Sequence, residues 1–187
     1  MEVNKTKSQV ELLHTTKLSD HPYFSARKDA YKFADGKIVD PYFVVEMPDS
    51  ATAMALTTEG EVILVEQYRH PLGEYLYELP GGFIESNENP EEGIRRELLE
   101  ETGYEFDNIL FLAKTTANPG VLNNYTFLFL ATGGRKIQAQ QLDAQEEIKV
   151  QLFSLEKVKQ MLKESEIKQS MHALCLYYGL ERLMDEK

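Results

Sequence analysis

Apolar and polar positions alternate along much of the chain and switch to a helical spacing in three places. Runs at Ala30–Phe33 and Lys37–Glu46 flank Asp35-Gly36, and runs at Ala51–Leu56 and Glu61–Arg69 flank Glu59-Gly60. A turn dipeptide between two such runs predicts a hairpin in each case. Tyr75–Leu79 reads as a further short strand that enters Pro80-Gly81-Gly82, and Ile109–Ala113, Tyr125–Ala131 and Ile148–Phe153 read as later strands. Cap and stop signals predict a helix from Pro90 to about Thr102, and helical spacing over Leu155–Lys163 and roughly Ile167–Leu183 predicts two more. The fold class expected is α/β, a mixed β-sheet sandwiched between α-helices, with residues 1–45 forming a small N-terminal sheet extension ahead of a main domain over 46–187.

The first helix carries the sharpest local signals. Asn89-Pro90 is an N-cap and first-turn pair, Glu92 completes a capping box, and Gly103 is a C-terminal stop. At about 100° per residue, Ile94 and Leu98 form the buried stripe, Glu97 and Glu101 fall beside it, and Glu100 lies on its flank. A helix face that is merely solvated places its acids opposite the core instead. Glu97 also repels Glu100 and Glu101, at roughly 0.2–0.5 kcal/mol per pair on an isolated helix, and the helix dipole disfavours anions in this half. A hard divalent cation offsets that repulsion better than Arg96 alone, which points to a metal site. An acidic surface helix partnered by Arg95 and Arg96 is the plainer alternative, and it suits Glu85, Glu91 and Glu92 better than Glu97, Glu100 and Glu101.

Composition narrows the setting. With 187 residues, 42% of them hydrophobic, the chain can bury a full core. A net charge of −11 argues against broad binding to nucleic acid or acidic membranes. It leaves a phosphate substrate open, provided that metal and selected arginines supply local positive charge. The single Cys175 makes no internal disulfide, and neither a signal-like start nor a membrane-length apolar run is visible, so a cytoplasmic location is expected. Cys175 lies in the apolar pattern MHALCLYYGL, which suits a buried helix position rather than a nucleophile.

The segment GFIESNENPEEGIRRELLEETGY, with Gly82, Glu88, Arg96, Glu97, Glu100, Glu101 and Gly103 at fixed spacing, resembles the Nudix box; only Tyr104 departs, where an aliphatic residue is usual. The flanking EQYRH, ELPGG and QQLDAQEEIKV segments resemble the ADP-ribose pyrophosphatase branch of that family, as does Pro119 at its spacing from Gly103. Gly93-Ile94 in place of Ala-Ala, and Phe127 in place of histidine, depart from the branch without touching the acids.

The resemblance implies a Nudix fold and a set of roles. Glu97, Glu101 and the Gly81 carbonyl would ligate Mg²⁺, with Mn²⁺ as a substitute, and Glu100 would ligate metal or act on water. Arg96 would orient the carboxylates, Gly82 would permit the turn from strand to loop, and Glu88 would stabilise the loop. Arg69 and Pro119 would contact substrate; for Arg69 the plainer reading is an ion pair with Glu66 or Glu78. Glu146, in a polar loop before IKVQLF, would be a general base or an additional metal ligand, against a solvated loop residue as the plain reading. The implied activity is hydrolysis of a nucleoside diphosphate sugar, ADP-ribose to AMP and ribose 5-phosphate. Alternatives are another nucleotide sugar such as GDP-mannose, or a non-catalytic nucleotide-sugar sensor. The resemblance also implies a homodimer built through the N-terminal sheet, which would help to wall the nucleotide pocket.

Overall fold

The computed structural model describes residues 10–21, 24–142 and 147–185. In chain order the elements are β1 (Val10–His21), β2 (Phe24–Phe33), β3 (Ile38–Glu46), β4 (Ser50–Thr57), β5 (Val62–Arg69), β6 (Glu74–Glu78), β7 (Gly81–Phe83), α1 (Pro90–Thr102), β8 (Tyr104–Glu105), β9 (Asn108–Thr115), β10 (Thr126–Lys136), β11 (Ile148–Phe153), α2 (Leu155–Lys163) and α3 (Ser170–Asp185). The chain divides into two compact units, residues 1–47 with 118–124, and residues 48–117 with 125–187.

The N-terminal unit is a three-stranded antiparallel sheet in the order β1-β2-β3. Gly36, at φ 87°, makes the β2–β3 turn that Asp35-Gly36 predicts. The 118–124 segment joins this unit through Val45 N–H donating to the Val121 carbonyl (2.8 Å) and the Tyr42 hydroxyl donating to that of Gly120 (2.7 Å). Glu46 accepts from Lys17, Ser25 and Arg27, which lower its carboxyl to about 2. Strand β1 is exposed along almost its whole length, so its sequence shows no buried face and the period-two signal fails there.

The larger unit is built on an eight-stranded mixed sheet. Strand β4 runs parallel to β10 and antiparallel to β5, and is buried on both faces. Its alternation decides the layers. Ala51, Ala53 and Ala55 pack on one side with Ile94 and Leu98 of α1, while Met54 and Leu56 pack on the other with Val158 and Met161 of α2 and Leu176 of α3. Burying Ile94 or Leu98 completely stabilises the unit by about 1.5–3 kcal/mol each. Cys175 lies in the second layer, its thiol pushed up to about 12 by burial, so it is a packing residue and not a nucleophile.

One irregularity in the sheet creates the site. Strands β4 and β5 pair only at Ala55 with Ile63 and Leu56 with Val62. Toward its N-terminal end β4 pairs instead with β7, from Ser50 opposite Phe83 to Thr52 opposite Gly81, while β5 turns to β6. The two central strands therefore separate, and a cavity opens where their ladder stops.

Helix α1 has the limits its caps predict. Asn89 Oδ1 accepts from the Glu91 and Glu92 N–H groups, Glu92 Oε2 accepts from the Asn89 N–H (3.0 Å each), and Gly103 ends the helix at φ 77°. Helix α3 begins later than the apolar spacing suggests, at Ser170, because the Gln169 side-chain oxygen accepts from the N–H groups of Met171 and His172 and caps it there. Among the described residues no helix is long and apolar enough to cross a membrane.

Candidate active site

The cavity between the separated strands has a volume of about 500 Å³. Its walls come from β4 (Ser50, Ala51, Thr52), β5 (Gln67, Arg69), β7 (Gly81, Gly82, Phe83), α1 (Arg96, Glu97, Glu101) and the start of α3 (Gln169, His172).

Helix α1 and strand β7 form the acidic wall. Glu101 is only 6% exposed, and its Oε2 accepts the Gly81 N–H at 2.8 Å, which ties the last helical turn to the strand. Gly81 adopts φ 146°, and a Cβ there would lie 2.2 Å from the Ala51 carbonyl oxygen. Gly82 has a different reason to be glycine. It sits within β7, without a positive φ, and a Cβ on it would fall 2.6 Å from Glu97 Oε1. The turn expected at Gly82 is thus made one residue earlier, and Gly82 makes room for the Glu97 carboxylate.

Arg96 organises the acids. Its Nε and Nη2 donate to the two oxygens of Glu88 (2.7 and 3.0 Å), and its Nη1 donates to both Glu97 Oε1 and Glu100 Oε2 (2.9 Å each). Nη2 also donates to the Phe83 carbonyl at 3.0 Å. These bonds, led by the one to Glu88, push the guanidinium further up and hold the Glu88 carboxyl below its ordinary value. Glu88 also accepts from the Glu85 N–H at 3.1 Å, so it braces the loop between β7 and α1.

On strand β5 Arg69 donates through Nε and Nη2 to both oxygens of Glu78, whose side chain is only 2% exposed. The ion pair with Glu78 and a place on the cavity wall are therefore compatible. His172 accepts the Leu79 N–H on Nδ1 at 3.1 Å, and burial lowers its imidazole to about 4.

The donor set suits a hard cation in kind, because Glu97 and Glu101 present carboxylate oxygens beside Gly81 on one wall. Among the described residues no three His, Cys, Asp or Glu side chains converge as a preformed metal cage. Arg96 draws Glu97 and Glu100 to itself instead.

Residues 47–174 match the family model described as NUDIX domain. The chain belongs to the Nudix hydrolase family. It is 33% identical over 136 residues to a methanol dehydrogenase activator of Bacillus methanolicus, spanning 72% of this chain and 74% of that protein. It is 28% identical over 158 residues to an ADP-ribose pyrophosphatase of Bacillus subtilis (strain 168), spanning 76% and 85%. A solved structure of an ADP compounds hydrolase superposes with a TM-score of 0.83, covering 95% of this chain and 96% of that one at 18% identity, which shows a shared fold. The family uses divalent metal, and the mixed sheet with three helices is its fold.

The structure brings Arg69, Gly81, Arg96, Glu97 and Glu101 to the walls of one cavity in this Nudix domain. Glu100 is held to Arg96 with its side chain 40% exposed. Pro119 lies in the 118–124 segment of the N-terminal unit, and Glu146 lies outside the described residues. Gln67, Gln169 and His172 are wall residues that sequence reasoning missed. His172 falls in the same apolar pattern as Cys175, so nothing local separates it from the core, and glutamine is not a residue type that marks a helix start, so no local signal singled out Gln169 either.

Proposed function

We propose that this Nudix pyrophosphohydrolase splits the diphosphate bond of a nucleoside diphosphate sugar, and that ADP-ribose is its substrate, yielding AMP and ribose 5-phosphate. One observation carries this reading: a single cavity lined both by paired carboxylates, Glu97 and Glu101, and by hydrogen-bond donors, Arg69 among them. Such polarity matches a substrate whose reacting centre is an anionic diphosphate and whose flanks are rich in oxygen acceptors. The relatives described as ADP-ribose pyrophosphatases support the choice of sugar nucleotide.

In this reading Glu97, Glu101 and the Gly81 carbonyl hold Mg²⁺, for which Mn²⁺ substitutes. Bound there, the cation would withdraw charge from phosphate oxygens and acidify an attacking water. Arg96 keeps the carboxylates oriented through its forked donors, and Glu88 fixes Arg96 in turn. Arg69, clamped by buried Glu78, presents a permanently charged guanidinium to the diphosphate. A carboxylate, Glu146 or Glu100, accepts the proton of the water. Pro119 joins the substrate-contacting set through the resemblance to the ADP-ribose pyrophosphatase branch, together with the EQYRH and ELPGG segments. A cytoplasmic location completes the reading and agrees with the free, buried thiol of Cys175.

Residues 1–45 act in this proposal as a dimerisation element, which the exposed Leu12, Leu18, Phe24 and Phe43 of the N-terminal sheet support. Light scattering should give twice the chain mass for the full protein and a monomer after deletion of this segment; a monomeric full chain would overturn it.

A panel of nucleoside diphosphate sugars with magnesium and manganese tests the substrate. ADP-ribose should show the highest kcat/KM. A preference for GDP-mannose would transfer the assignment to that sugar nucleotide, and binding without turnover would make the protein a sensor.

A further inference from the structure

We propose that His172 is a substrate-binding residue whose Nε2–H donates a hydrogen bond to an oxygen of the bound nucleotide sugar. The proposal rests on the nucleoside diphosphate sugar reading of this cavity. His172 is only 9% exposed, and what remains open belongs to a residue of the cavity wall. Leu79 N–H donates to Nδ1 at 3.1 Å, so Nδ1 carries no proton and the neutral ring bears its hydrogen on Nε2. No described residue engages Nε2. Every buried side-chain nitrogen or oxygen among the described residues has a partner, so an unengaged Nε2 opens onto the cavity.

The surroundings decide what this N–H can meet. Glu78, the nearby carboxylate, is committed to Arg69 through both oxygens. Gln169 spends its side-chain oxygen on the N–H groups of Met171 and His172, which leaves its amide nitrogen as the group with hydrogens to give. This wall of the cavity therefore offers donors to an oxygen acceptor. Burial keeps the ring neutral near pH 7, with Arg69 acting in the same direction against the opposing pull of Glu78. With Nδ1 tied to Leu79 and Nε2 protonated, His172 can serve neither as a proton acceptor nor as a metal ligand without breaking that arrangement. Its role is to select and hold an acceptor oxygen, either phosphoryl or sugar hydroxyl.

Two substitutions separate this role from core packing. In His172→Asn the side-chain oxygen can still accept from Leu79 N–H, but the shorter amide places no donor at the position of Nε2. In His172→Gln the longer amide reaches toward the position of Nε2 and restores a donor. With the full chain and magnesium, His172→Asn should raise the KM for ADP-ribose about three- to tenfold with kcat little changed, and His172→Gln should recover most of the loss. Competition by ADP, which keeps the diphosphate and lacks the second ribose, locates the acceptor. A parallel weakening of ADP assigns a phosphoryl oxygen, and unchanged ADP inhibition assigns a sugar hydroxyl. A wild-type KM in His172→Asn, or equal losses in both variants accompanied by a lowered melting temperature, would overturn the proposal.

Nitrogen NMR of the wild-type imidazole gives an independent readout if His172→Asn does not fold. It should show the Nε2–H tautomer, with that nitrogen shifting on addition of ADP-ribose. A ring protonated on Nδ1, or one indifferent to ADP-ribose, would overturn it. Absence of ADP-ribose turnover by the wild type would instead sink the substrate assignment, which the tautomer itself does not depend on.

Discussion

Two walls of the cavity, one on β7 and α1 and the other on β5 and α3, are built on opposite principles. At the first, Arg96 already pairs with Glu88, Glu97 and Glu100, and Gly82 leaves space that the Glu97 carboxylate occupies. At the second, the charge of Arg69 is neutralised by buried Glu78, and His172 offers an uncharged donor. The first wall concentrates negative charge that a cation can relieve, whereas the second concentrates hydrogens that an oxygen can accept. Changes at the first should therefore act on rate, and changes at the second on affinity.

The largest expected effect separates the two candidate bases. If Glu146 takes the proton, Glu146→Gln should cut kcat by about 10²–10⁴-fold while metal binding stays largely intact, and Glu100→Gln should weaken metal binding more. Magnesium titration with single-turnover rates checks this, and the reverse ordering would give the base role to Glu100.

A smaller effect tests the cradle itself. The methyl group of Gly82→Ala would press on the flexible end of Glu97 and not on backbone, so the fold should tolerate it. Turnover should nonetheless fall roughly ten- to hundredfold, because the carboxylate must move. Wild-type turnover would show that the position of Glu97 is not critical.

The smallest effect belongs to the other wall and concerns stability. The folded imidazole of His172 is depressed to about 4 by burial, against an unfolded value near 6.5. Its contribution is complete above the unfolded value and is lost as pH falls through this window, because the unfolded chain then binds the extra proton. Between pH 7 and pH 5 this should remove about 2 kcal/mol. Denaturant titrations of the wild type and His172→Asn at both pH values check the sign: the variant should lose less on acidification.

The same contrast governs what could be read from the chain. Helix α1 was legible because its caps, stripe and acids are local features within one short segment, and its acids border the buried side as the spacing implies. The longer strands followed from the apolar runs, and their arrangement as a mixed sheet from the resemblance to the family. Strand β1 was not legible, since among the described residues almost all of its positions are exposed on both faces, and β7 and β8 are too short to show a period. The donor wall was invisible for a topological reason. His172 reaches Leu79 only because β4 and β5 separate and α3 begins beside the opening, a consequence of the whole sheet and not of any local pattern. The reason for Gly82 was likewise hidden, because it lies in a contact with Glu97 and not in its own backbone angles.

The central claim is that the α1 carboxylates hold the metal on which hydrolysis depends, and Glu101→Gln tests it most directly. A glutamine oxygen can still accept the Gly81 N–H, so melting should be little changed, while a hard anionic ligand is lost. Rates of AMP and ribose 5-phosphate release from ADP-ribose, measured for both proteins across a magnesium series, should differ by about a hundredfold or more at limiting metal. A folded Glu101→Gln protein with near-normal turnover at limiting magnesium would contradict the account.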